Sequence, residues 1–136
     1  VVLVSDKMAA RLNVPWSMRL HASRRMGGAP DLPALAGIAP ARALLSMVPQ
    51  NDVVAIELME SFVVQAMVWQ DALDLDPLKV NRGGGAVARG HPIGASGAIL
   101  AVRLFHELRY EPEGGFGLAA IAAAGGLGSA ALFERT

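Results

Sequence analysis

Apolar positions along the chain fall into two kinds of pattern, short continuous runs and longer stripes at helical spacing. Residues 1–4 and Val53–Leu58 are near-continuous apolar runs, as expected of strands covered on both faces inside a sheet. A bare strand edge invites pairing. The opening run therefore predicts a covering sheet, and a chain that was cut from, or pairs with, something longer. Ser5 or Asp6 can cap a short helix through Leu12, since a side-chain oxygen there accepts from the first free amides. Pro15 ends that helix. Residues 17–23 read as a strand, and 24–37, with Gly27, Gly28, Pro30, Pro33 and Gly37, as a loop.

Pro40 suits the first turn of a helix running to about Val48, closed by Pro49. Residues 60–73 have helical spacing, with Phe62, Ala66 and Trp69 on one stripe. Residues 75–81 turn back toward a glycine cluster. Over 94–109 the apolar residues Ile99, Val102, Leu104, Phe105 and Leu108 again recur at helical intervals. Two final apolar strands, Phe116–Ala123 and 129–134, flank Gly125, Gly126 and Gly128. Met18, Met47 and Met67 read as gap fillers in the core.

Strands alternating with helices, and a hairpin at the end, predict an α/β domain with a mixed, mostly parallel sheet flanked by helices. Val53–Leu58, Phe116–Ala123 and 129–134 should share that sheet, with the 94–109 helix against it. No internal repeat or low-complexity tract interrupts the pattern.

Composition narrows the class. A chain of 136 residues can bury one real core, and 53% hydrophobic against 18% charged residues favours a compact globular domain over disorder. Twelve basic and twelve acidic residues balance, so nothing marks the chain for nucleic acid or an anionic membrane. No apolar run is long enough to span a bilayer and no basic-then-apolar leader opens the chain, which makes the cytoplasm the default location. The absence of cysteine excludes a disulfide, a thiolate metal site and a cysteine nucleophile within these residues. Neither a metal nor a bound cofactor is expected.

Three loops follow strand ends and are rich in glycine or polar residues: Met59-Glu60-Ser61-Phe62, Gly90-His91-Pro92-Ile93-Gly94-Ala95-Ser96-Gly97, and Ala122-Ala123-Ala124-Gly125-Gly126. Open α/β sheets meet ligands at such loops. Singly they are weak signals. A glycine-rich stretch before a helix is more often turn and packing chemistry than a phosphate cradle, and this one lacks a P-loop lysine and dinucleotide spacing. A lone histidine beside proline is more often structural than catalytic.

Taken in order they are specific. The segment from Asn81 to Gly97, with His91-Pro-Ile-Gly-Ala-Ser-Gly97 at its end, resembles the long histidine signature of the thiolase family. Glu57-Leu-Met-Glu60-Ser-Phe62-Val-Val-Gln65 resembles that family's Asn-Glu-Ala-Phe segment, and residues 117–128 its C-terminal Cys-x-Gly-Gly-Gly segment. Residues 1–6 resemble the last strand of the family's N-terminal domain. The resemblance covers essentially the whole chain and divides it into 1–16, the end of the N-terminal domain (strand and helix), and 17–136, the C-terminal domain.

The resemblance implies one of two similar α/β halves, assembled into dimers or tetramers that cleave or form 3-oxoacyl-CoA thioesters, with coenzyme A thioesters as substrate rather than cofactor. A cysteine in the N-terminal half carries the acyl group. The residue matching His91 activates that cysteine and helps hold the thioester oxyanion. The family's asparagine, which anchors an oxyanion-hole water, is Met59 here. Its proton-transferring cysteine is Ala122, and the glycine supplying a backbone amide to a second oxyanion site is Ala124.

Alanine supplies no titrating group, so position 122 loses its acid–base chemistry. Met59 cannot hold a water by hydrogen bonding. An alanine at 124 still offers its amide, with strain if the loop needs a positive φ there. Glu60 keeps the family's acid, either in the site or as a brace for its helix. His21 and His106 read as surface residues.

The implied function is a degenerate C-terminal half that completes or supports a partner in 3-oxoacyl-CoA thiolysis or condensation. The partner would be an N-terminal thiolase half or another thiolase-like chain, in an oligomer. The alternatives are half of an active acyl-CoA C-acyltransferase, split or truncated, and a non-catalytic acyl-CoA-binding module.

Overall fold

The structure is a computed structural model and describes residues 1–111 and 113–136. Nine helices and strands are used below, in the order α1 (Asp6–Leu12), β1 (Met18–Gly27), α2 (Ile38–Leu45), β2 (Val53–Leu58), α3 (Val63–Ala72), α4 (Ala86–Arg89), α5 (Ile93–Leu108), β3 (Phe116–Ala123) and β4 (Leu127–Arg135). The four strands form one sheet in the order β1-β4-β3-β2.

As expected, β2, β3 and β4 share this sheet, and α5 lies against β2 and β3. Alternation along the strands sorts side chains to two faces. Ile56, Leu58, Leu118, Ala120, Ala130 and Leu132 meet Ala41 and Leu44 of α2 and Trp69 of α3. Ala55, Met59 and Ala119 meet Leu100, Leu104 and Leu108, which recur every four residues on α5. Each of these α5 leucines is almost fully buried, a contribution of about 1.5–3 kcal/mol apiece. The result is a mixed sheet between two helical layers.

Several expectations are corrected. Antiparallel pairing outweighs parallel: β1–β4 and β3–β4 are antiparallel and only β2–β3 is parallel. The short turn through Gly125 and Gly126, with φ of 82° and 78°, sets the β3–β4 pair antiparallel. Residues 1–4 form no strand and are exposed, because no described strand offers them an edge. The first strand runs through Arg24 and Arg25 to Gly27, territory expected to be loop, since β4 pairs with it along that length. As an edge strand carrying Arg19, Arg24 and Arg25 it is poorly suited to further pairing.

The third helix starts at Val63, not Glu60, because the chain bends at 61–62 and its N-cap Phe62 is extended. Ala66 and Trp69 are buried on its inner face beside Gln65, whereas Phe62 is 65% exposed. Met18 is half-buried, but Met47 and Met67 are exposed rather than filling the core. Ser5 caps α1 by accepting from Met8 N, Asn13 ends it in the left-handed region, and no residue of that helix is buried.

Candidate active site

Because β2 and β3 are parallel, the loops that follow them, 59–62 and 124–126, emerge at the same edge of the sheet. The first is held by a side-chain lock. Val80 bridges Ile56 in parallel register on the outer side of β2. Asn81 continues that pairing with its side chain. Its Oδ1 accepts from Leu58 N at 2.8 Å, and its Nδ2 donates to Leu58 O at 3.1 Å and to Glu60 Oε1 at 2.7 Å. Glu60 uses its other oxygen, Oε2, to accept from Val87 N at 2.9 Å, in the first turn of α4. Gly85 makes room for this, since a Cβ there would stand 2.0 Å from the Glu60 carboxyl carbon. Both Glu60 oxygens are thus committed to bracing the segment that carries His91.

Past α4, Gly90 adopts φ 91° and delivers His91 to the start of α5. The imidazole lies between two hydroxyls. Ser96 Oγ is 2.6 Å from Nδ1, and Ser61 Oγ is 3.3 Å from Nε2. Ser96, on the first turn of α5, is almost completely buried, while Ser61 and His91 are half-buried. The structure therefore joins two of the three loops singled out in the sequence through His91.

Behind this cluster Glu57 is 1% exposed. Its Oε2 accepts from Arg103 Nε at 3.1 Å and lies 4.0 Å from Arg89 NH2. Burial pushes its carboxyl above the usual 4.5, with Arg103 and Arg89 opposing and Glu107 adding to the rise. Arg103 also pairs with Glu107 at 3.5 Å.

The remaining positions separate. Met59 is 2% exposed and fills the α5-side core cluster. Ala122 packs against the opposite cluster and pairs with Gly128 across the hairpin. Ala124 is exposed at the tip and its φ is not positive, since the left-handed positions fall on Gly125 and Gly126. Alanine there carries no backbone strain. His21 and His106 are exposed, as expected.

The roles of Asn81 and Ser96 in the His91 cluster, and the Glu57–Arg103 pair, went unread in the sequence. Asn81 and Ser96 lay inside the histidine segment, but spacing alone does not say which side chains meet. A surface cavity of about 610 Å³ opens elsewhere, beside Arg42, Gln50 and Lys79. Those three donate to the backbone carbonyls of Ala72, Asp74 and Val53, a structural use. No helix among the described residues is long and apolar enough to cross a membrane.

Comparison with known proteins agrees with this architecture. The family described as "Thiolase, C-terminal domain" matches residues 18–135. The Bacillus subtilis protein YhfS, to which an acetyl-CoA C-acetyltransferase activity is ascribed, is 37% identical over 136 residues, covering 98% of this chain and 37% of its own length. The crystal structure of the Bacillus anthracis acetyl-CoA acetyltransferase superposes with a TM-score of 0.88 at 30% identity, over 97% of this chain and 34% of that one. A thiolase of Ascaris suum, solved in complex with coenzyme A, gives a TM-score of 0.87 at 32% identity over the same shares. The chain thus spans little more than a third of the length of these relatives. It belongs to the thiolase family and matches that family's C-terminal domain.

Proposed function

We propose that the chain is a degenerate thiolase C-terminal half, with residues 1–16 as the end of an N-terminal domain, that completes or supports a partner in 3-oxoacyl-CoA thiolysis or condensation. The substrate class is acyl-CoA, as the names of the relatives suggest, and the setting is fatty acid metabolism in the cytoplasm. The partner is an N-terminal thiolase half or another thiolase-like chain.

One observation carries the reading. Directly beside the His91 cluster, α3 leaves Phe62, Val63, Val64 and Met67 more than half exposed. A contiguous apolar face next to a half-buried imidazole is what a docking subunit covers. That partner would bring the nucleophile that His91 serves, and the assembly would be an oligomer with an interface at the obligate end of the range, above roughly 2,000 Å². Met59 and Ala122 leave the site without its water anchor and second proton carrier, which is the sense in which it is degenerate.

The test is to mix the chain with an N-terminal thiolase half that carries the cysteine and to measure association by analytical ultracentrifugation. A stable complex that Met67→Lys disrupts supports the reading. A chain that stays monomeric and binds no apolar dye contradicts it.

A further inference from the structure

The Nε2 atom of His91 already has a hydroxyl of this chain beside it. Ser61 stands at a turn from strand to helix, three residues past the end of β2 and two before the start of α3. The motif it resembles has alanine at that place. A serine presented on a strand-to-helix turn with its Oγ toward an imidazole has the placement, without the strained backbone, of a nucleophile elbow.

Hydroxyls both donate and accept, so the two contacts suit either tautomer of the ring, and the one a general base needs is among them. With the proton on Nδ1, the ring donates to Ser96 Oγ at 2.6 Å and leaves the Nε2 lone pair for the Ser61 hydroxyl at 3.3 Å. A nucleophile–base separation of this size is usual before substrate tightens the site. Ser96 is buried on α5 and fixes the ring. The Asn81–Glu60–Val87 lock fixes the turn on the other side.

The start of α3 lies close by in the chain. No side chain caps this helix, and Val63 and Val64 have no intrahelical acceptor for their N–H groups. They lie two and three residues past Ser61 in the chain, at the positive end of the helix dipole, a place suited to stabilising an oxyanion.

We propose that Ser61 is itself a nucleophile, and that the chain hydrolyses acyl thioesters through an acyl-Ser61 ester. The natural substrate class rests on the acyl-CoA reading above; the nucleophile does not. In the first half-reaction Ser61 Oγ forms a bond to the thioester carbonyl carbon and its proton passes to His91 Nε2. The C–S bond breaks, and the thiolate leaves as free thiol with that proton. In the second, water attacks the ester carbon and gives its proton to Nε2. The bond from carbon to Oγ breaks, Oγ recovers the proton, and the carboxylic acid departs. Thioester and water become acid and thiol. No carbon–carbon bond is touched, so neither Met59 nor Ala122 is needed.

The test uses the 136-residue chain with a fluorophosphonate probe, p-nitrophenyl acetate and acetyl-CoA in turn. The probe should label Ser61, p-nitrophenyl acetate should leave an acetyl group there, and acetyl-CoA should release free thiol and acetate. Ser61→Ala should abolish all three. His91→Ala should slow them about a hundredfold or more, the usual worth of a general base. Ser96→Ala should slow them less, and Ser96→Thr, which keeps the hydroxyl, should restore the rate. Should Ser61→Ala fail to fold, Ser61→Cys reports instead, its thiol taking the acetyl group at a rate that depends on His91.

If acetylation by p-nitrophenyl acetate occurs while acetyl-CoA is untouched, Ser61 stands as the nucleophile and the acyl-CoA reading falls. If neither activated probe modifies residue 61, or if His91→Ala leaves the labelling rate unchanged, the nucleophile proposal is overturned.

Discussion

The loops that follow the two parallel strands share an edge of the sheet but are built by different means. After β2, residues 59–62 are wired by side chains: Glu60 to Asn81 and Val87, Ser61 to His91. After β3, the tip is shaped by backbone alone, through Gly125 and Gly126 and a 2.6 Å bond from Gly28 N to Gly126 O. A loop wired by side chains is sensitive to the loss of one of them, most of all where it leaves a buried partner such as the Leu58 amide unsatisfied. A loop shaped by glycines tolerates alanine at 124. The contrast is one of side-chain wiring after β2 against backbone shaping after β3.

The largest expected effect lies on the strand that feeds the wired loop. Arg103→Ala strips Glu57 of its closest counter-charge and should cost about 3 kcal/mol in denaturant unfolding, as breaking buried pairs does. Adding Glu57→Gln should recover much of that loss. Glu57 also sets a pH dependence. Its carboxyl is raised in the folded chain by burial, so the folded state holds that proton more tightly than the unfolded one. The stability this confers is full below the usual 4.5 and is lost as pH rises through the folded-state value. Stability curves of Glu57→Gln should therefore fall less steeply than wild type over that window.

Asn81→Ala comes next, at about 2–3 kcal/mol, because it orphans the Leu58 amide and one Glu60 oxygen together. Gly85→Ala should cost about 1–3 kcal/mol by driving a methyl into the Glu60 carboxylate. At the glycine-shaped tip, Ala124→Ser should stay within about 0.5 kcal/mol, as exposed substitutions do. Equal costs at Gly85 and Ala124 in thermal unfolding would erase the contrast between the loops.

How legible these loops were depended on what holds them. Val53–Leu58 and Phe116–Ala123 were readable because burial writes continuous apolar runs. The helix α5 was readable because its apolar residues recur at helical spacing, although its buried row runs through Leu100, Leu104 and Leu108 and leaves Ile99 of the expected stripe 38% exposed. The β1 extension was not, since Arg24 and Arg25 sit on an edge strand whose pairing comes from β4 rather than from its own pattern. Residues 1–4 misled for the reverse reason: an apolar run predicts a strand only where a neighbour offers hydrogen bonds. Motifs singled out His91, Met59, Ala122 and Ala124. They could not reveal that Asn81 clasps a strand 23 residues earlier, or that Arg103 reaches Glu57 46 residues away. Contacts between distant segments leave no spacing to read. Met67 looked like core and is exposed, because α3 presents an apolar face on its outer side as well.

The central claim is a retained histidine beside a lost proton-transfer side, and acetyl-CoA formation from acetoacetyl-CoA and coenzyme A tests it directly. The chain alone should form none. In a complex with a cysteine-bearing N-terminal half, Ala122→Cys with Met59→Asn should raise the rate by more than the two single changes together predict, because members of one catalytic unit are non-additive. His91→Ala should remove the gain. Acetyl-CoA formation at an ordinary enzymatic rate by the unmodified chain on its own would contradict the account.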